Sequence, residues 1–249
     1  MSKTGTDKVL PTIGVVIPAL NEEATIADQV AEVLAVAAQP DLPARIERVV
    51  VVDNGSDDRT AEWATAAGAT VVSEPRRGYG RACHSGVLAA GDVDLIVQMD
   101  GDRSDRFDEL PLLLHPLLAG EADLVIGSRT LGSYEPGSLL PQQRFGNWLA
   151  AQLLRLLYGV RVTDIGPFRT MRRRDLLALG MREMTYGWSV EMIARAARNG
   201  LRVREVPVTY RRRAGGESKV SGNLRASIRA GARITVTILR CRRDGPAPA

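Results

Sequence analysis

The stretch Ile13-Gly14-Val15-Val16-Ile17-Pro18-Ala19-Leu20-Asn21-Glu22-Glu23 runs from an apolar, β-branched segment into an abruptly polar end. The apolar part does not alternate with polar residues, which is the pattern of a strand covered on both faces, as in parallel sheets. Behind it, Ile26, Val30, Val33, Leu34 and Ala37 recur at three-to-four spacing, the period of a helix with one buried stripe. Short β-branched runs return at Val49 to Val52, Thr70 to Val72, Leu95 to Met99 and Leu124 to Ile126. This alternation predicts βαβ units and an α/β fold with a mostly parallel sheet flanked by helices.

In such sheets ligands collect outside the carboxyl ends of the strands. Polar residues gather there: Asn21, Glu22 and Glu23 after the first run, Asp53 and Asn54 after the second, Asp100 and Asp102 after the fourth. Ser56 to Asp58 read as caps of a following helix. Asp100-Gly101-Asp102 reads otherwise, because no helical pattern stands directly behind it. Two carboxylates separated by one small residue offer hard oxygen ligands to Mg²⁺ or Mn²⁺ and leave positions open for diphosphate oxygens. A cation there neutralises a diphosphate leaving group.

With 249 residues and 45% hydrophobic content, the chain can bury a sizeable core. Cys83 and Cys241 fit no metal or redox spacing. No uncharged apolar run is long enough to span a bilayer and no leader pattern opens the chain, so a cytoplasmic protein is expected. The net charge of +4 is uneven: from Arg195 onward 14 Lys/Arg face 3 Asp/Glu, while the remainder has 19 against 26. A basic end on an acidic body points to an anionic partner such as phosphates or a membrane surface.

After about Gly132 a turn-rich segment, Gly132 to Pro141, leads into an apolar helix, Phe145 to Tyr158. An extended segment, Val203 to Tyr210, precedes the Arg-rich stretch Arg211 to Lys219. The last pattern is helical, with Leu224, Ile228, Ala232, Thr235 and Leu239 on one stripe beside Arg225, Arg229, Arg233 and Arg240. Such a helix either packs on the sheet or lies at an anionic membrane surface. Several other chemistries lose support. Gly78-Tyr79-Gly80-Arg81 lacks the third glycine of a dinucleotide fingerprint, and no P-loop occurs. His84 and His115 stand alone.

Together, Val15 to Glu23, Val51 to Asp58, Gly78-Tyr79-Gly80 and Asp100-Gly101-Asp102 resemble the family-2 glycosyltransferases. The likeness runs from about Ile13 to Arg240 and is nearest to the dolichol-phosphate mannose synthase and polyprenyl-phosphate glycosyltransferase group. It implies a GT-A fold, with a Rossmann-like sheet and a C-terminal acceptor-side region. On that pattern residues 1–130 form the nucleotide-sugar-binding part, 131–243 the acceptor-binding part of the same domain, and 244–249 a disordered tail. Pro18, Ala19, Leu20, Asn21, Glu22, Asp53 and Asn54 would surround the base and ribose, with Arg81 near the donor. Asp100 and Asp102, around Gly101, would hold the Mg²⁺ or Mn²⁺. Ser104 stands where the synthases often carry Gln, which leaves the third ligand unassigned.

On the acceptor side, Ile126 to Arg129 and Gln142 to Asn147 resemble phosphate-binding segments. The planar forks of Arg129 and Arg144 suit that role. Thr163 to Arg169 resembles the acceptor motif, with Asp164 supporting charge near the anomeric carbon. Arg213 to Lys219 resembles a mobile basic loop over the diphosphate, with Arg213 and Lys219 supplying charge. Glu191 is either catalytic or a buried structural carboxylate. The resemblance implies an inverting displacement from a UDP- or GDP-sugar onto a polyprenyl phosphate, whose anionic oxygen needs no strong base. A small hydroxyl acceptor and a nucleotidyltransferase are the enzymatic alternatives, and a catalytically inert membrane-surface module is the third. A peripheral membrane contact and a homo-oligomer fit the pattern; a nucleic-acid partner is not expected.

Overall fold

Ile13, Val15 and Ile17 pack on one side of the first strand and Val16 on the other, so both faces of the sheet are covered. The computed structural model describes residues 10–215 and 224–243, without the side chains of 224–228. Its strands are β1 (Thr12–Ala19), β2 (Arg45–Asp53), β3 (Thr70–Ser73), β4 (Leu95–Gln98), β5 (Leu124–Tyr134), β6 (Arg169–Arg172) and β7 (Val203–Tyr210). They form one seven-stranded sheet in the order β3-β2-β1-β4-β6-β5-β7. All neighbours are parallel except β6, which runs antiparallel to both β4 and β5.

Helices α1 (Ile26–Ala37), α2 (Thr60–Ala66) and α4 (Leu110–Leu118) cover one face. On the other lie α3 (Tyr79–Ala89), α5 (Pro141–Tyr158), α6 (Arg173–Ala178), α7 (Trp188–Arg198) and α8 (Leu224–Arg243). The predicted stripe of α1 is confirmed at Ile26, Val30 and Val33, which are fully buried. Each such side chain contributes about 1.5–3 kcal/mol of burial.

Three expectations need correction. The segment after Gly132 is not all turn, because β5 continues to Tyr134, where Ser133 and Tyr134 pair with Thr209 and Tyr210 after a register shift. Strand β6 was not anticipated. In α8 the packed side carries Ala230, Thr237, Ile238 and Cys241, whereas Ala232 and Leu239 of the predicted stripe are exposed. The phase differs because Arg233, Thr237 and Arg240 turn toward the buried carboxylate of Glu183. The predicted row of solvated arginines is thereby broken at two positions; Arg225 lies outside the described side chains. No described helix is long and apolar enough to cross a membrane.

Candidate active site

Strands β1, β2 and β4 end beside a cavity of about 970 Å³. Pro18, Ala19, Leu20 and Glu22 line one end of it, with Asn54, Arg77, Gly78 and Tyr79. Asn54 shapes this end rather than leaving its amide free. Its Nδ2 donates to the carbonyls of Glu74 (2.8 Å) and Arg76 (2.9 Å), and its Oδ1 accepts from Gly78 N (2.7 Å). Asn21 and Asp53 do not line the cavity; they secure the neighbouring turn. Asn21 Oδ1 accepts from Asp57 N (2.9 Å) and Asp53 Oδ1 from Ser56 N (3.0 Å). Asp58 Oδ1 accepts from Thr60 N (3.0 Å), the first residue of α2, from one position ahead of the N-cap Arg59, which makes no side-chain cap bond. Arg81 is absent from the lining and donates its backbone N–H to Met184 O (3.1 Å).

At the middle, Asp100, Gly101 and Asp102 line the cavity. Tyr79 OH donates to Asp100 Oδ1 at 3.2 Å. Burial and the adjacent Asp102 carboxylate push Asp100 well above the usual carboxylate range. Asp102 is 4% exposed; its Oδ1 accepts from Ser104 N (2.9 Å) and its Oδ2 meets Arg213 Nη2 (2.9 Å). The other tine of Arg213 reaches Glu22 Oε1 at 2.7 Å. Burial raises Glu22, and Arg213 only partly offsets it. Lys219 lies outside the described residues.

The lining also includes Arg129, Leu140, Asn147, Ile165, Pro167 and Tyr210, with Ala230 and Ile234 from α8. Arg129 holds Asp164 in a fork: Nε to Oδ2 and Nη2 to Oδ1, both 2.7 Å. Its guanidinium carbon stands 4.9 Å from the Tyr210 ring centroid. Asp164 is fully buried and does not line the cavity; Asn147 Nδ2 (2.7 Å) and Ile165 N (2.8 Å) also donate to it. Burial works to raise Asp164, but Arg129 and these hydrogen bonds outweigh it and leave the carboxyl lowered. Arg144 is exposed on α5, 5.9 Å from the Tyr134 ring, and is not part of the lining. Glu191 is fully buried, accepting from Arg182 N, Glu183 N and Arg195 Nε, and it too is absent from the lining.

Four residues to which the sequence reading assigns no role organise the site. Tyr79 touches Asp100, and Tyr210 lies under Arg129. Glu205 accepts from Thr163 N (2.8 Å) and Asp164 N (2.9 Å), fixing the loop that carries Asp164. Glu183, fully buried, belongs to the loop whose Met184 and Thr185 carbonyls accept from Arg81 N and Gly80 N. A Cβ at Gly80 would overlap the Glu183 carbonyl oxygen, so only glycine admits this approach.

A model of glycosyl transferase family 2 matches residues 14–180, and the chain belongs to that family. An uncharacterized glycosyltransferase of Mycobacterium tuberculosis is 42% identical over 218 residues, 87% of this chain and 93% of its own. An undecaprenyl-phosphate mannosyltransferase of Micrococcus luteus is 34% identical over 189 residues, 71% of this chain and 76% of its own. Among solved structures, glucosyl-3-phosphoglycerate synthase from Mycobacterium tuberculosis, in complex with Mn²⁺, UDP-glucose and phosphoglyceric acid, aligns at a TM-score of 0.73. The identity is 26%, over 94% of this chain and 81% of that one. The fold is GT-A, as expected.

Proposed function

We propose that the chain transfers a sugar, with inversion, from a nucleotide-diphosphate donor to a polyprenyl phosphate. The observation that carries the acceptor is the mixed lining of the cavity, which the Arg129 cation shares with the apolar side chains of Leu140, Ile165, Pro167, Ala230 and Ile234. A phosphate with an attached hydrocarbon meets both kinds of surface there. Neighbouring α5 and α8 expose Phe145 (63%), Trp148 (55%), Val236 (55%) and Leu239 (47%), a surface suited to the lipid bilayer that would carry such an acceptor. The undecaprenyl-phosphate mannosyltransferase relative supports the same reading.

The residues present fit a divalent cation. Asp100 and Asp102 offer hard oxygens, and the position between Glu22 and Asp102 already accommodates a positive group, Arg213. Among the described residues no third His, Cys, Asp or Glu completes a cluster, so further ligands would be diphosphate oxygens and water. Mg²⁺ or Mn²⁺ held there would supply charge neutralisation for the departing nucleoside diphosphate. Pro18, Leu20 and Glu22 would border the base and ribose, with Arg213 reaching the diphosphate. Arg129 would orient the acceptor phosphate so that its anionic oxygen faces the anomeric carbon. Asp164 would act through Arg129, fixing the plane of its fork.

A second reading, transfer to a phosphorylated hydroxy acid, is favoured by the phosphoglyceric acid bound in the solved relative. Incubation with Mn²⁺ and labelled UDP- or GDP-sugars, offering undecaprenyl phosphate in detergent or 3-phosphoglycerate, separates the two. Label partitioning into organic solvent is expected; label appearing only in a water-soluble product would replace the lipid acceptor by the second reading. The surface is tested with vesicles. Phe145→Ser with Trp148→Ser should weaken binding to anionic vesicles, and unchanged binding would remove α5 from the contact.

A further inference from the structure

Glu22 follows β1 and Asp102 follows β4, and one guanidinium joins them. Arg213 donates from Nη1 to Glu22 Oε1 at 2.7 Å and from Nη2 to Asp102 Oδ2 at 2.9 Å. The backbone that delivers it is itself laddered to the site: Arg211 N donates to Ser104 O (2.8 Å), Ala214 N to Asp102 O (3.2 Å), and Tyr210 bridges Asp105. With Ser104 N on its Oδ1, Asp102 has a partner on each oxygen. Burial works against the Arg213 charge, but Asp102 and Glu22 more than restore it, so the group is a firm cation.

We propose that Arg213 is an internal counter-cation that closes the ligand-free site. It must leave Asp102 before a divalent cation and its diphosphate can settle. This rests on the donor and metal reading given above. Two cations sharing one buried carboxylate repel each other, so the bridge weakens binding of the bare metal ion. A nucleoside diphosphate relieves the conflict, because its oxygens give the released guanidinium a second place to go. Metal and nucleotide then bind with mutual support, a coupling that operates in both directions.

The test measures Mn²⁺ binding to the full chain by the loss of the free-ion electron paramagnetic resonance signal, with no sugar present. Wild type, Arg213→Gln and Arg213→Lys are compared with and without UDP or GDP, and thermal melting verifies that each is folded. Arg213→Gln should bind Mn²⁺ alone about tenfold more tightly than wild type, the scale of one charge-assisted pair. Arg213→Lys keeps a charge but cannot bridge two carboxylates, and should fall between them. With nucleotide the gain should vanish. A wild type that binds Mn²⁺ with nucleotide, beside an Arg213→Gln variant that binds the bare ion no better, overturns the closure alone. So does Arg213→Lys behaving as wild type, since charge without bridging would then suffice. No Mn²⁺ binding by wild type even with UDP or GDP overturns the metal reading and the closure together.

Discussion

Arg129 and Arg213 line the same cavity, yet their partners are arranged oppositely. Arg129 gives both tines of its fork to a single carboxylate, Asp164, and its side chain is 9% exposed. Arg213 gives one tine each to two carboxylates on different strand ends and is 25% exposed. The first arrangement satisfies an acid that does not line the cavity; the second joins two acids, Glu22 and Asp102, that both line it. Geometry of the fork therefore separates an arginine anchored to one buried acid from one that links two acids of the lining.

The sharpest way to break this comparison is to remove the acid from each pair. Asp102→Ala should cut metal-dependent transfer by about a thousandfold or more, because developing charge on the leaving group loses its support. Its melting temperature should stay near wild type, and near-normal turnover in EDTA would refute the metal assignment. Asp164→Ala should act chiefly on stability, since it strands a buried guanidinium at a cost of about 3–5 kcal/mol. Urea unfolding measures that loss. The pH dependence follows from the lowered Asp164 carboxyl. A depressed acid contributes stability that is complete above its unfolded value and lost as pH falls through its lower folded value. Wild type should thus lose this contribution only below the ordinary aspartate value of 3.8, and Asp164→Asn should lack that acid step.

A smaller effect sharpens the contrast around Arg129. Arg129→Lys keeps the charge and loses the fork, so acceptor KM should rise about tenfold while nucleotide affinity holds. Arg144→Ala, on an exposed helix face away from the cavity lining, should change acceptor KM about twofold at most. Equal effects of the two in steady-state titrations would return Arg144 to the acceptor site, where the family resemblance puts it.

Much of the first half of the chain was legible because its signals are local. The β1, β2 and β4 runs end in their own polar residues, and the α1 stripe repeats within one turn. Residues 169–172 gave no such signal: Arg-Thr-Met-Arg is polar at both ends, and it forms β6 only because β4 and β5 flank it. The phase of α8 was misread for a related reason. Its packed side includes Thr237 and is steered by Arg233 and Arg240, whose partner Glu183 is about fifty residues earlier in the chain. Pairing of Arg129 with Asp164 spans 35 positions, and no periodicity announces it.

The tie between Glu183 and α8 bears on how far this chain can be recombined with its relatives. Exchanging the last helix to transplant an acceptor preference would remove Arg233, Thr237 and Arg240 from a carboxylate with no solvent to turn to. The loop left behind is the one that seats Gly80 and Arg81, beside Tyr79 and Asp100. A graft that ignored those three side chains would disturb the segment at residues 78–81 as well, so the helix and the loop have to be exchanged as a unit.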